Sequence, residues 1–555
     1  MTNKKRWSAL LLAVLALCAS LTGCAGGGKE DTSTALGVMR KYNKAQPQDI
    51  DDNYRSYYEV FVYSFYDSDG DGVGDLKGLT QSLDYINDGD PSTDTDLGCT
   101  GIWLMPIMPS PSYHKYDVTD YLDIDPQYGT MEDFQAFLEA AHQRGIDVII
   151  DFVMNHTSDQ HPWFQEASRY LRSLGAGEEP DLAVCPYVDY YNFSREPSTC
   201  QLEGTEWYYE APFWSGMPDL DLNSPAVRKE IEEIAAFWLD LGVDGFRLDA
   251  AKEFVSGATE ANVEILTWFN DMVKARKSDA FIVAEVWTDL STYAQYYASG
   301  VSCFNFSFGN SDGVIPNTVK HIGSANASSY GRAIMKLQDA LSAYDPDYID
   351  APFYTNHDMG RAAGHYFNEY SAQQTKMAHA LNLLMSGSSF LYYGEELGMK
   401  GSGRDENKRA PMYWSDDPDY AGLCDGPADM EDFDMKFASF EDQKADGDSI
   451  YWFVAQTIRL RSAYPTIARG TAVLEETVSG DNVCVLRKTW GEEEVLLVFN
   501  ISETPQSVDL SGLTVSGGSP VLGGVLVTTA EEPVLEDGTL SLPMYSVAVL
   551  RGDPD

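Results

Sequence analysis

A chain of 555 residues, 44% of them hydrophobic, has enough apolar mass for a large core and, at this length, for more than one domain. Its formal net charge of −48 repels nucleic acid and anionic lipid surfaces, so neither is an expected partner. A neutral substrate in a salty, extracellular setting suits that balance.

Residues 1–23 read as a targeting segment. Lys4, Lys5 and Arg6 form a basic start, Trp7 to Leu17 an apolar stretch, and Leu21-Thr22-Gly23-Cys24 places small residues before a cysteine. The apolar stretch falls short of the roughly 20 residues that span a bilayer. The pattern resembles a bacterial lipobox, which implies cleavage before Cys24, lipid on its sulfur, and a protein held at the outside of the cell membrane or at the cell surface. A plain secretory signal with an incidental cysteine is the alternative. Residues 24–53, which run AGGGKEDTSTALG after Cys24, read as a flexible tether.

Helix and strand then alternate. Short apolar runs without strict alternation read as strands covered on both faces: VFVYSF (60–65), GIWLMPI (101–107), IDVIIDFV (146–153), FIVAEVW (281–287) and SSFLYYG (388–394). Thr130 is placed to cap a helix with Phe134, Phe137, Leu138 and Ala141 on its apolar face, and Gly145 to end it. Ser224 and Pro225 start another that runs to Gly242. Val263, Leu266, Phe269, Met272 and Val273 mark a third. The repetition predicts a parallel sheet, open or closed into a barrel.

Three carboxylates end such runs: Asp249 in GVDGFRLDAAKE, Glu285 in FIVAEVW and Asp358 in DAPFYTNHD. Strand ends on one face of a barrel bring such groups together, and cleavage of a glycosidic bond needs paired carboxylates. Asp67-Ser68-Asp69-Gly70-Asp71-Gly72-Val73-Gly74-Asp75 spaces carboxylates for a hard cation, with the Val73 carbonyl joining Asp67, Asp69, Asp71 and Asp75 around Ca²⁺. The loop resembles an EF-hand loop, but Gly78 stands where a bidentate Glu is required and no helix precedes it. A solvated acidic turn is the alternative.

Residues 157–223 lose the rhythm and read as an irregular excursion from one loop, and from about residue 466 short runs (VCVLRKTW, EEVLLVFNIS, SVAVLRG) predict a small β-sandwich. Cys185 and Cys200 share the excursion, where a disulfide and two free thiols are equally compatible with the spacing.

DFVMNH, GFRLDAAKE, EVW and FYTNHD, in this order, together with KYDVTDY, MPDLD, YYGEELGMKG and DENKRAPMYWS, resemble the signature regions of the α-amylase superfamily, glycoside hydrolase family 13. MPDLD is similar to the motif of an intermediate group that includes surface lipoprotein amylases. The resemblance implies a (β/α)8 TIM barrel (54–156 and 224–465), a domain B inserted after strand 3 (157–223) and a C-terminal antiparallel β-sandwich (466–555). It implies Asp249 as nucleophile, Glu285 as acid and base, and Asp358 as the third carboxylate. Tyr116, His156, Arg247, Lys252 and His357 are implied substrate-site residues, with Arg247 keeping Asp249 ionised. It also implies calcium at the 67–75 loop and a second ion near Asn155. The expected enzyme is a retaining, endo-acting, monomeric α-amylase acting on starch and maltooligosaccharides. A 4-α-glucanotransferase or an α-glucosidase or neopullulanase-like enzyme would use the same residues. Glu253, where many amylases carry histidine, sets this chain's leaving-side contacts apart.

Overall fold

The computed structural model describes residues 31–553; Cys24 and the expected signal lie outside them. Eight parallel strands form the centre: Ser56–Val60, Gly101–Leu104, Asp147–Phe152, Gly245–Leu248, Phe281–Ala284, Ser302–Asn305, Ala351–Pro352 and Ser389–Tyr392. From the first to the seventh each pairs with the next, and the eighth returns to the first. The remaining gap, between the seventh and eighth, is spanned by a single parallel bridge, Phe353 to Phe390. The sheet is therefore a nearly closed barrel.

Its interior follows from the two-residue period of a strand. Tyr57 on the first strand stacks with Phe281 on the fifth, ring centroids 5.3 Å apart. Strands on opposite sides of the barrel touch only through its middle. These two rings, with Trp103, Ile149, Phe304 and Phe390, make an apolar floor. Two residues further along their strands come Glu59 and Asp151, Glu285 lies two beyond Val283 of the same floor, and two beyond Gly245 comes Arg247. The same pleat that builds the floor thus lifts an ionic layer to the strands' C-terminal ends.

Helices cover the outside. Thr130 caps Met131–His142 in a reciprocal arrangement with Asp133, and Gly145 takes the left-handed conformation (φ 73°) that ends the segment. Pro225–Leu241 starts and ends where the sequence predicts, but the Ser224 hydroxyl does not cap it; it donates to Asp189 at 2.8 Å, tying the helix start to the excursion. VFVYSF is also displaced from its expected form. The strand precedes it, and Val62–Ser64 turns into a 3-10 helix that carries the chain toward the acidic loop.

Residues 157–223 are more regular than expected, with a helix at Pro162–Ser173 and a two-stranded hairpin, Cys200–Gln201 with Tyr208–Tyr209. Bridges from His156 to Asp219 and from Tyr191 to Leu220 lace this excursion together. Cys185 and Cys200 are both free thiols. At the C-terminus a five-stranded and a three-stranded antiparallel sheet enclose a separate core that includes Val485, Leu496, Val498, Leu510, Leu540 and Leu550.

The tether expected over 24–53 is corrected where it is described. Ala35–Tyr42 is a helix, capped by Thr34, with Ala35, Leu36, Val38 and Met39 buried. It packs against the C-terminal strand Pro520–Leu526 and the barrel helix Ile450–Ala463, and Asn43 after it accepts from the Val525 backbone at 2.7 Å. The glycines that suggested a tether stop at Gly28; the apolar i, i+3 spacing begins at Ala35. Among the described residues no helix is long and apolar enough to cross a membrane.

Candidate active site

The ionic layer opens into a cavity of about 460 Å³, lined among others by Tyr116, His156, Asp249, Lys252, Glu285, His357 and Asp358. All eight of the expected catalytic and sugar-contacting residues meet there except Arg247, which lies directly beneath. Its guanidinium is fully buried and acts as the hub: Nη1 donates to Asp249 Oδ1 at 2.7 Å and to both oxygens of Asp151 at 2.9 Å, and Nη2 donates to Glu285 Oε2 at 2.5 Å. One planar fork thereby fixes the relative position of Asp249 and Glu285. The residue after Asp249 assists. Ala250 sits in the left-handed region (φ 51°), uncommon for a side chain with a Cβ, and its N–H lies 3.3 Å from Glu285 Oε2.

Glu285 and Asp358 respond in opposite directions. Burial pushes the Glu285 carboxyl up to about 7, with the charges of Asp249 and Asp358 adding to the rise and Arg247 opposing it. Asp358 goes the other way. Although burial works against its charge, His357 and Arg409 hold it well below the usual carboxylate range. His357 Nε2 is 3.1 Å and Arg409 Nη2 3.3 Å from Asp358. His357 is correspondingly cationic: burial works against its charge, but Asp358 and Glu59 lift its pKa to about 9. Neighbouring environments thus hold a proton on Glu285 near neutrality and strip one from Asp358, the separation of roles that acid-assisted chemistry requires.

His357 and His156 differ from the expected hydroxyl donors. Both ring nitrogens of His357 are engaged, Nδ1 donating to Glu59 at 2.6 Å and Nε2 facing Asp358 and the Tyr116 hydroxyl (2.8 Å). Here it positions Asp358 and Tyr116. His156 Nε2 is 3.2 Å from the Tyr116 carbonyl, and burial lowers its pKa, which favours the neutral ring. Tyr116 stacks on His357 and donates to Asp151 at 3.0 Å. Lys252 is half exposed at the rim, 3.3 Å from Glu253.

Sequence reasoning missed Asp151, Glu59 and Arg409. Asp151 was visible as the charge inside the apolar run IDVIIDFV, and Glu59 likewise between Tyr58 and Val60. An ionisable group at a position that faces the barrel interior is costly unless paired, and that was the available signal. Arg409 lies about fifty residues beyond its partner, where no spacing rule reaches. The rim also carries Phe213, Trp214 and Trp287, exposed aromatic rings, with Trp287 stacked on Phe306 at 4.7 Å.

The acidic loop gathers three of its four carboxylates. Asp67, Asp69 and Asp71 lie close enough for one ion, the only such group among the described residues. Gly70 and Gly72 take positive φ (86° and 91°), so the chain doubles back and Asp67 accepts from the N–H groups of Asp69, Gly70 and Gly72. Asp75 is corrected: its carboxylate accepts from Ser68 and from the Gly78 N–H, capping the helix Leu76–Gln81 instead of joining the group. Among the described residues no three acidic, histidine or cysteine ligands gather near Asn155; its amide donates to Asp219 at 3.0 Å.

Comparison with known proteins places this geometry. The model of the α-amylase catalytic domain matches residues 59–470. "Alpha-amylase 3" of Dictyoglomus thermophilum is 41% identical over 368 residues, 65% of this chain and 67% of that protein. The solved structure titled "Eubacterium rectale Amy13B" superposes with a TM-score of 0.89 at 51% identity, over 93% of this chain and 99% of that one. The α-amylase from H. orenii superposes with a TM-score of 0.78 at 35% identity, over 90% and 100%. Relatives at 28% identity bear other names, oligo-1,6-glucosidase in Parageobacillus thermoglucosidasius (80% of this chain, 89% of that protein) and 4-alpha-glucanotransferase in Thermotoga neapolitana (85% and 98%). A barrel with three carboxylates around a buried arginine and a family match over most of the chain lead to one conclusion: the chain belongs to the α-amylase family and is a glycoside hydrolase.

Proposed function

We propose that this enzyme is a retaining, endo-acting α-amylase that cleaves α-1,4 links in starch and maltooligosaccharides. The observation that carries the reading is Asp249 and Glu285 held on the two amino groups of one guanidinium, with Glu285 poised near neutrality. In the first step an Asp249 oxygen bonds to the anomeric carbon as the glycosidic C–O bond breaks, and Glu285 gives its proton to the departing oxygen. Glu285, now ionised, is steadied by Arg247. In the second step Glu285 takes a proton from water, water oxygen bonds to the anomeric carbon, and Asp249 leaves. Two inversions give net retention. Asp358 stabilises the positive charge that develops on the sugar, and its ion pair with His357 keeps it ionised.

Support for endo action comes from Phe213, Trp214 and Trp287 along the rim, apolar rings against which glucose units beyond the cleaved bond can lie. The test is to follow products from maltoheptaose and pullulan over time. Internal cleavage of maltoheptaose into several shorter chains supports the reading. Products longer than the substrate point to a glucanotransferase, glucose released alone from the chain end to an α-glucosidase, and panose from pullulan to a neopullulanase.

Calcium fits the loop at Asp67, Asp69 and Asp71, where it would neutralise clustered carboxylates and hold the turn, away from the bonds that change. We also propose that Cys24 carries lipid and anchors the protein outside the cell. The wild-type protein should fractionate with membranes and Cys24→Ala should block lipid attachment; a wild-type protein found wholly soluble and unmodified at Cys24 would overturn the proposal.

A further inference from the structure

A second groove lies where the barrel meets the C-terminal domain, with a volume of about 730 Å³. One wall is the segment before the first strand (Asp49, Asp51, Asp52), with Tyr464 at the end of the helix Ile450–Ala463 and Arg469 in the short helix Thr466–Arg469 after it; the other is the C-terminal hairpin with Trp490, Glu493 and Glu494. Trp490 is 46% exposed, an unusual state for the largest apolar side chain at the tip of a hairpin. It is not loose. The Arg469 guanidinium packs on the rings of Tyr54 and Trp490, 5.1 and 5.2 Å from their centroids, and pairs with both oxygens of Asp52 at 2.7 and 2.8 Å. A cation fixed by Asp52 thus braces the indole at the groove.

From this we infer that the groove centred on Trp490 is a second carbohydrate site, which takes a neutral α-glucan chain. A sugar ring presents a face of C–H groups that packs on an indole and a rim of hydroxyls that bond to carboxylates, and the groove offers both partners. Anions are disfavoured, because five carboxylates line it against the two guanidinium groups of Arg469 and Arg551. Cationic ligands find less free charge than the count suggests. Asp52 is committed to Arg469, Glu494 accepts from Arg487 at 3.0 Å, and Glu493 accepts from the Thr466 hydroxyl at 3.2 Å.

The site is separate from the cleft. Asp52 precedes the first barrel strand, whereas Asp249, Glu285 and Asp358 follow the strands they extend. The two openings are therefore at opposite ends of the barrel, at least about 15 Å apart for strands of this length. A long glucan would be held at one end of the molecule while the other end cuts. This assignment rests on the α-glucan reading of the catalytic site.

The experiment is affinity electrophoresis of the full chain in native gels with and without amylopectin, in an Asp249→Asn background so that the gel is not digested. Trp490→Ala should weaken the retardation at least about tenfold, the scale expected when an aromatic anchor is truncated. Trp490→Phe should recover much of it, and Asp51→Ala, a change at an exposed position, should weaken it in part. In an otherwise wild-type chain Trp490→Ala should leave hydrolysis of a short chromogenic maltotrioside unchanged. Equal retardation of Trp490→Ala and its parent, or retardation by a polylysine gel and not by amylopectin, would overturn the proposal. Failure of the wild-type enzyme to cleave any α-glucan would instead overturn the reading of the catalytic site.

Discussion

Asp151 and Arg247 form the most deeply buried ion pair in the catalytic layer, both Asp151 oxygens accepting from the same nitrogen at 2.9 Å. Burial pushes the Asp151 carboxyl up to about 7, against the pull of Arg247. Its partner touches Asp249 and Glu285 directly, so Asp151 sets where those two sit without lining the cleft. Asp151→Ala should cost about 3–5 kcal/mol of stability, the range for stripping one member from a buried pair. Asp151→Asn, which keeps one acceptor, should cost less. Urea denaturation of both variants checks the order.

Asp249→Asn and Glu285→Gln should each lower kcat on starch by several orders of magnitude with little change in melting temperature, because both groups act on the transition state. Steady-state kinetics beside a thermal melt decide this. Near wild-type digestion by either variant would remove that residue from the chemistry.

The Glu285 carboxyl stands at about 7 against an ordinary 4.5. In its proposed role as general acid it must be protonated, so kcat/KM should fall as pH rises above about 7. Its effect on stability has the same direction. Between pH 4.5 and 7 the folded protein keeps a proton that the unfolded chain has lost, so the contribution is complete below 4.5 and lost as pH rises through 7. His357, lifted from 6.5 to about 9, contributes fully below 6.5 and loses its contribution through 9. Melts of Glu285→Gln across pH 4–8 should show a flatter profile than the parent.

Much of this site is readable from a single strand at a time, and the limits of that reading are instructive. Asp249 and Glu285 announce themselves because each directly follows an apolar run that is a strand. Asp358 is harder: the run before it predicts a strand up to the carboxylate, but the ladder stops at Pro352, which lacks an N–H, a single bridge follows at Phe353, and Tyr354 to His357 is loop. The pairings of Asp151 with Arg247 and of Glu59 with His357 join residues 96 and 298 positions apart. Such partners are set by barrel closure, a property of the whole chain, and no local window contains it.

The acidic loop should bind calcium for stability. EDTA should lower the melting temperature, and calcium at about 100 times its dissociation constant should add about 2.7 kcal/mol. Asp69→Ala combined with Asp71→Ala should abolish the response. A calcium-dependent melt that survives the double change places the ion elsewhere.

The helix Ala35–Tyr42 makes its own prediction. Met39→Ala removes a fully buried side chain from the contact between helix, barrel and C-terminal sheet, and should cost about 2–5 kcal/mol. A flexible tether would tolerate the change, so an unaltered melt would return this segment to that description.

The gap between the seventh and eighth strands, spanned by one bridge, makes the barrel mechanically uneven. Elsewhere each joint is a ladder, whereas here Phe353, Phe304 and Phe390 hold the wall chiefly by ring contacts of 4.8 and 5.5 Å. A joint with few backbone bonds opens at lower free energy than its neighbours, and amide exchange should be fastest along it. Asp358 hangs from the loop above that joint, while Asp249 and Glu285 rise from paired strands. The enzyme thus carries Asp249 and Glu285 on the stiff side of the cylinder and Asp358 on the side that opens more readily.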